Sequence, residues 1–311
     1  MLKQSGIPLS AALNQYVLIQ QDAGANPDVF GIEIELEGKN ILGCPPVVQK
    51  YWVQHNDGSL RKLKPGDEAI EYVSTVPYNM ATTEKALQYL LDFLNTAPAE
   101  VYDSYRTSVH VHVNCGLESL QTIYNFMTLS LLLDELLVSQ NGEHRIGNNF
   151  CLRAKDAMGQ LIALTQSMEN GKEFFNFGAN ERYSSINFAS LMKFGSIEFR
   201  SLECTLHHGR IMHWVRTLQQ MKERSRQFKN PIDIIQSYSR LGPSAFLVDV
   251  LGPYALKYLR VRDMDNMLHN GMRLAQDLAY SQTWDKPEKI EDTQIGYGKL
   301  NKKAAKPLGW D

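Results

Sequence analysis

Short stretches of strictly alternating apolar and polar residues recur along the chain. Residues 107–114 read Thr-Ser-Val-His-Val-His-Val-Asn, and residues 30–37 read Phe-Gly-Ile-Glu-Ile-Glu-Leu-Glu. Residues 184–188 and 195–200 have the same two-residue period. Because successive side chains of a strand point to opposite faces of a sheet, each stretch is predicted to be a strand with one core-facing side and one polar side.

Other stretches have apolar residues three or four positions apart, which is the period of an amphipathic helix. They predict helices at residues 11–21, 82–94, 117–138, 153–168, 210–228, 231–240 and 263–280. Thr82 or Thr83 is expected to cap the second of these helices. Two further strands are predicted at residues 50–56 and 69–75. Asp57 with Gly58 is a strong hairpin signal after the first of them, and Ser59 and Leu60 are expected to start the return.

The order of these elements predicts the fold class. Few parallel strand–helix–strand units are implied, so the expected class is α+β with a mostly antiparallel sheet. Helices would cover one face of the sheet, and the other face would be concave and polar. We predict an N-terminal extension at residues 1–28, one main domain at 29–284 and a surface tail at 285–311. Within the domain, residues 117–170 would form a helical insertion and residues 209–284 the C-terminal helices.

Composition places the chain among soluble globular proteins, with 43% hydrophobic and 21% charged residues. The net charge of −2 gives no general attraction to nucleic acid or anionic membrane, although a local basic groove stays open. The four cysteines lack paired spacing and predict reduced thiols in a cytoplasmic protein. Neither a signal peptide nor a long apolar run is present, so we expect no secretion and no membrane span.

The polar faces of the predicted strands carry unusual chemistry. Their members are Glu33, Glu35, either Glu68 or Glu71, His110, His112, Asn187, Glu198 and Arg200. Glu68 and Glu71 face opposite ways in a regular strand, so only one of them can join this set unless a bulge intervenes. Glu37 is interpreted as the solvated end of its strand and left out.

Neighbouring glutamates destabilise a bare sheet, and a bound cation would remove that cost. Glutamate oxygens favour Mg²⁺ or Mn²⁺, and several glutamates with a histidine suit two or three ions. Several divalent ions beside an arginine are what phosphoryl transfer from a nucleotide requires. The residues themselves therefore indicate a metal-dependent site that handles phosphate.

Six short motifs occur in a characteristic order along the chain. They are Glu33-Ile34-Glu35, Asp57-Gly58-Ser59-Leu60, Glu71-Tyr72-Val73-Ser74, His110-Val111-His112-Val113, Arg182-Tyr183 with Asn187, and Ile197-Glu198-Phe199-Arg200. In this order they resemble the amidoligase family of phages and bacteria, within the glutamine synthetase-like superfamily of carboxylate–amine ligases. The resemblance covers roughly residues 30–204.

The resemblance implies a glutamine synthetase-like catalytic core and an ATP-dependent ligase that uses Mg²⁺ or Mn²⁺. It implies that the metal ligands are Glu33, Glu35, Glu71, His110 and Glu198. It implies that His112, Arg182, Asn187 and Arg200 contact the nucleotide, with His112, Arg182 and Arg200 also catalytic. Ser108 and Asn114 lie on the same strand face and are expected to orient the histidines.

Two other functions stay open from the sequence alone. One is a metal-dependent hydrolase built on the His-x-His strand, and the other is a binding or structural protein without catalysis. For a ligase, the partners would be a small-molecule or peptide carboxylate and an amine, in the host cytoplasm if the gene is carried by a phage. The sequence indicates neither the identity of these substrates nor an oligomeric state.

Overall fold

A computed structural model describes residues 26–96, 98–157, 159, 183–281 and 284. Within these residues the chain forms one sheet of eight strands. The strands are β1 (Val29–Lys39), β2 (Trp52–His55), β3 (Glu68–Ser74), β4 (Tyr78–Asn79), β5 (Glu100–Val101), β6 (Ser108–Asn114), β7 (Ile186–Asn187) and β8 (Ser196–Glu203). The order across the sheet is β2–β3–β1–β6–β8–β7, and β4 and β5 pair with the two ends of β1.

All pairings between these strands are antiparallel, so the predicted antiparallel sheet is confirmed. The helices of the described residues complete an α+β fold. They are α1 (Pro46–Gln49), α2 (Met80–Leu94), α3 (Leu120–Ser139), α4 (Ser190–Phe194), α5 (His208–Ser225), α6 (Pro231–Leu241), α7 (Pro243–Leu251), α8 (Ala255–Tyr258) and α9 (Met264–Ala279).

The apolar face of the sheet forms the core. Ile34 of β1 and Val111 of β6 are fully buried, as the alternating pattern predicts. Phe199 of β8 packs against Phe126 of α3 and Trp214 of α5, with ring centroids 5.6 and 6.2 Å apart. Helices α3 and α5 therefore cover this face and leave the polar face to the opposite side.

A bulge in β8 controls which of its side chains reach the polar face. Val109 of β6 lies opposite Leu202, but Val111 lies opposite Phe199, so β8 has one more residue than β6 in this interval. The extra residue allows Phe199 and Leu202 both to be buried in the core, at an odd spacing. Arg200 stays on the polar side, next to Glu198.

Several local predictions are wrong. Asp57 and Gly58 do not close a tight hairpin, because Ser59 and Leu60 form no strand and the next strand, β3, begins only at Glu68. Asp57 instead accepts a hydrogen bond from the Ser59 N–H within a local turn. The cap of α2 is Asn79, whose side chain accepts from the Thr82 N–H, and not Thr82 or Thr83.

Helices α1, α4, α7 and α8 have no counterpart among the predicted elements. The strand predicted at residues 184–188 is limited to the two residues of β7. The predicted helix at residues 11–21, most of that at 153–168 and the tail at 285–311 lie outside the described residues, and the domain boundaries stay a prediction. No described helix combines the length and apolarity needed to cross a bilayer.

Candidate functional site

The strand register brings the predicted polar residues to one place. Glu33 of β1 lies opposite His110 of β6, and Glu35 lies opposite Glu71 of β3. On the other side of β6, His112 lies opposite Glu198 of β8. Directly opposed residues of neighbouring strands point to the same face, so four strands contribute to one cluster of side chains.

One group of potential ligands consists of Glu33, His110 and Glu198. Nδ1 of His110 lies 3.0 Å from Oε2 of Glu33 and 3.5 Å from Oε1 of Glu198. Each residue offers one ligand atom, and these atoms lie within 4.8 Å of one another. The spacing is compact enough for the three side chains to surround one cation.

A second group shares His110 and adds Glu35 and Glu71, again with ligand atoms within 4.8 Å of one another. Nε2 of His110 lies 3.6 Å from Oε2 of Glu35. Ser108 connects these two residues, because its Oγ lies 2.5 Å from Oε2 of Glu35 and 2.7 Å from Nε2 of His110. The two nitrogens of one imidazole thus face two neighbouring groups of carboxylates.

Two residues hold Glu198 in position. Nη1 of Arg200 donates to Oε1 of Glu198 at 2.5 Å, and Nδ2 of Asn187 donates to Oε2 at 2.6 Å. Nη1 of Arg200 also lies 3.4 Å from Nδ1 of His110. The guanidinium therefore lies beside the group formed by Glu33, His110 and Glu198.

His112 extends the site away from the second group. Its Nε2 lies 3.1 Å from Oε1 of Glu33, and its Nδ1 lies 3.0 Å from Oγ of Ser196. Beside it opens a pocket of about 100 Å³ whose other walls include Val73, Val76, Pro77, Phe194 and Ser196. The rings of His112 and Phe194 meet edge to face with centroids 5.5 Å apart.

The charges of the site strongly shift its pKa values. Burial would raise the pKa of Glu33, but the His112 charge and the hydrogen bond from His110 outweigh it and hold the pKa well below the usual value. Burial likewise acts to raise the pKa of Glu198, and the Arg200 charge lowers it overall. Burial alone would lower the pKa of His112, and the carboxylate of Glu33 raises it.

The pKa of Glu71 is shifted in the opposite direction to those of Glu33 and Glu198. Burial and the neighbouring charges of Glu33 and Glu35 raise its pKa to about 9. Glu71 therefore keeps its proton at neutral pH because it lies among other carboxylates. A divalent ion would take the place of that proton and bind the carboxylate.

The structure brings together all the described residues that were predicted as metal ligands. Glu71 joins the site, whereas Glu68 faces away and its Oε2 accepts from the N–H of Ile41 at 2.7 Å. Arg182 lies outside the described residues.

Three details differ from the sequence interpretation. Glu37 is not solvated; it is 2% exposed, and its Oε1 accepts the N–H of Arg61 at 2.7 Å. Asn114 does not orient a histidine: among the described residues, its side chain only accepts a hydrogen bond from the N–H of Gly116. Ser196 orients His112 instead. Ser196 was missed, although it occupies the polar side of β8 two residues before Glu198, and that spacing could have identified it.

The donor set favours particular cations. Four carboxylates and one imidazole supply mostly hard oxygen ligands, which suit Mg²⁺ or Mn²⁺ better than Zn²⁺. Ser108, Asn187 and Ser196 hold the ligating side chains in defined orientations. The residues present therefore fit a centre for two divalent ions.

Comparison with known proteins identifies a family. A family model described as "putative amidoligase enzyme" matches residues 52–222, more than half of the chain. The match includes Glu71, the His-x-His strand and β8, and it begins after β1, whose glutamates complete the site. The search of curated proteins found no match. The extent of the family match shows that this chain belongs to the amidoligase family.

Proposed function

We propose that the protein is an ATP-dependent carboxylate–amine ligase that forms an amide or peptide bond through an acyl phosphate. The observation that carries the proposal is that two clusters of potential metal ligands, each with two glutamates, both include His110. Divalent ions held by these side chains would neutralise the phosphate oxygens of a nucleotide. Family membership supports the same class of reaction.

The chemistry needs activation of the acid. A carboxylate carries a poor leaving group, so an amine does not displace it under mild conditions. Transfer of the γ-phosphoryl group of ATP to a carboxylate oxygen gives an acyl phosphate and ADP. Attack by the amine then forms the C–N bond and releases phosphate, and the amine loses a proton.

Arg200 is the residue best placed to stabilise the transferring phosphoryl group. Its guanidinium lies beside Glu33, His110 and Glu198 and is held by the bond to Glu198. It stays charged at every physiological pH and offers several donors in a plane, which suits phosphate oxygens. We therefore assign Arg200 the role of stabilising the negative charge that develops on the phosphoryl group during transfer.

The nucleotide is assigned to the side of the site at His112. The pocket there has the apolar walls Val73, Val76, Pro77 and Phe194, which suit a base. His112, with a raised pKa, would face the phosphates next to Glu33. The acid and the amine would then approach from the side of Glu35 and Glu71.

Isothermal titration calorimetry with ATP and Mg²⁺ tests the proposal. The wild-type protein should bind ATP only when Mg²⁺ is present, and Glu33→Gln and Glu198→Gln should weaken binding at least tenfold. Each of these variants removes one charged ligand, and a lost charged interaction of about 1.5–3 kcal/mol corresponds to roughly tenfold or more.

Glu68→Gln is the matched control, since Glu68 belongs to β3 but points away from the site. It should bind ATP as the wild type does. ATP binding that is independent of Mg²⁺, or undiminished in both site variants, contradicts the ligase proposal. Tight Zn²⁺ binding without any nucleotide binding would favour the hydrolase instead, and no binding of either would favour a non-enzymatic protein.

A further inference from the structure

Arg106 lies at the end of the polar face away from the His112 pocket. It precedes Ser108 by two residues, and Oγ of Ser108 lies 2.5 Å from Oε2 of Glu35. Its Nη1 donates to the Ser59 carbonyl oxygen at 3.2 Å. The N–H of Arg61 in the same loop donates to Glu37, which shares its strand face with Glu35. This loop therefore lies over the polar face and places the Arg106 guanidinium on that side.

Two aromatic rings hold the guanidinium of Arg106. Its Cζ lies 5.0 Å from the ring centroid of Tyr105 and 5.5 Å from that of Phe150. Such contacts orient a planar guanidinium without using all of its hydrogen-bond donors. Arg106 is thus fixed in place with donors to spare.

No carboxylate within the described part of the chain forms a salt bridge with Arg106. Arg153 pairs with Glu135, and Arg224 pairs with Asp249. Arg61, which is exposed, and the buried Arg145 form no salt bridge with a described carboxylate either. A partly buried cation without an anion is costly unless a ligand supplies one. The arrangement is typical of a residue that binds an anionic group of a substrate.

We propose that Arg106 binds a second anionic group of the acid substrate, separate from the carboxylate that is phosphorylated. The inference rests on the proposed ligase function and specifies its substrate. Glu35 and Glu37 are about 7 Å apart along β1. The loop that covers Glu37 also accepts the hydrogen bond from Arg106, so we place the separation of the two anionic groups at roughly 7–10 Å. The substrate class is therefore an elongated acid with anionic groups at both ends.

Suberate and octanoate are suitable probes for this separation. Both have eight carbons, but only suberate has a carboxylate at each end, roughly 9 Å apart when the chain is extended. Their affinities would be measured by ligand-observed NMR on the full chain, with Mg²⁺ and a non-hydrolysable ATP analogue present. The wild type should bind suberate about tenfold more tightly than octanoate, as expected for a charge-assisted contact.

Arg106→Gln should bring the two affinities to within about twofold, while binding of the ATP analogue stays unchanged. Arg106→Lys should retain part of the preference, because lysine keeps the charge but not the planar donors. Arg61→Gln is the matched control: Arg61 is exposed, and its Nη1 donates only to the Gly58 and Leu60 carbonyls of its own loop. This variant should keep the full preference for suberate.

Equal affinities of the wild type for suberate and octanoate, with nucleotide binding intact, would overturn the inference. A preference for suberate that survives in Arg106→Gln would overturn it as well. Failure of the wild type to bind the ATP analogue with Mg²⁺ would instead contradict the ligase function itself. The two failures are therefore distinguishable in one series of measurements.

Discussion

His110 connects the two groups of carboxylates at the scale of single residues. Its Nδ1 faces Glu33 and Glu198, and its Nε2 faces Glu35. Ser108 fixes the ring from the Nε2 side. Removal of this one imidazole should weaken cation binding at both groups of carboxylates. Removal of His112 should affect only the side of the site that faces the pocket.

Glu71 provides a prediction about pH. Its pKa in the folded, metal-free protein is raised from 4.5 to about 9, so the folded state keeps a proton that the unfolded state releases. The stability of the metal-free wild type should therefore fall as the pH rises through this window. Glu71→Gln cannot release this proton, so its stability should not fall in the same way as the pH rises. It should melt a few degrees higher than the wild type at pH 8, with a smaller difference at pH 5.

Differential scanning calorimetry with a chelator present measures this difference. Glu68→Gln, on the opposite face of the same strand, should melt with the wild-type dependence on pH. Mg²⁺ should stabilise the wild type more than Glu71→Gln. A parallel pH dependence of wild type and Glu71→Gln would disprove the assigned charge state of Glu71.

Most site residues are predictable from sequence because they follow the two-residue period of the strands. Glu33, Glu35, His110 and Glu198 were found in this way, and the structure brings them together. Glu37 was misjudged, because its burial depends on a loop of residues distant in sequence. Long-range contacts of this kind leave no local pattern.

At the scale of elements, the β8 bulge is the clearest case of a feature that the local strand pattern does not predict. Local alternation predicts Glu198 and Arg200 on one face, but it does not show that the pairing with β6 shifts by one residue after Phe199. Arg145 and Asn141 stabilise the shifted segment: Arg145 donates to the Arg200 carbonyl at 2.9 Å, and Asn141 donates to Oγ of Ser201 at 2.8 Å. The strand pattern alone contains no information about these partners.

The contact between α3 and α9 gives a second prediction. A Cβ atom at Gly271 of α9 would lie 2.0 Å from the backbone oxygen of Leu132 in α3. Glycine to alanine in a helix normally adds about 1 kcal/mol of stability, but the clash with a rigid backbone should reverse the sign. Gly271→Ala should lower stability by about 2 kcal/mol, measured by urea denaturation.

His269→Ala is the control for this substitution, because His269 is exposed on the same helix. It should change stability by less than about 0.5 kcal/mol. Unchanged or increased stability of Gly271→Ala would mean that the two helices do not pack as closely as described.

A buried ion cluster joins distant parts of the whole molecule. Lys222 of α5 is 1% exposed, and its Nζ lies 3.1 Å from Glu118 and 3.4 Å from Asp28. Arg226 pairs with the same two carboxylates. The cluster thereby connects the start of β1, the segment before α3 and the end of α5.

Lys222→Met should destabilise the protein by about 3 kcal/mol, since it leaves two carboxylates with one cation in a largely buried place. Arg216→Met removes a cation from the exposed pair with Glu84 and should cost less than about 1 kcal/mol. Urea denaturation of both variants measures the difference. Equal and small effects would show that the cluster does not hold the sheet and helices together.

The most direct test of the central claim is anomalous diffraction from crystals of the protein soaked with Mn²⁺ and a non-hydrolysable ATP analogue. The account predicts two manganese peaks, one among Glu33, His110 and Glu198 and the other among Glu35, Glu71 and His110. His110→Ala should weaken both peaks, and His112→Ala should retain them. Bound nucleotide without manganese at either position, or manganese bound only elsewhere, would contradict the account.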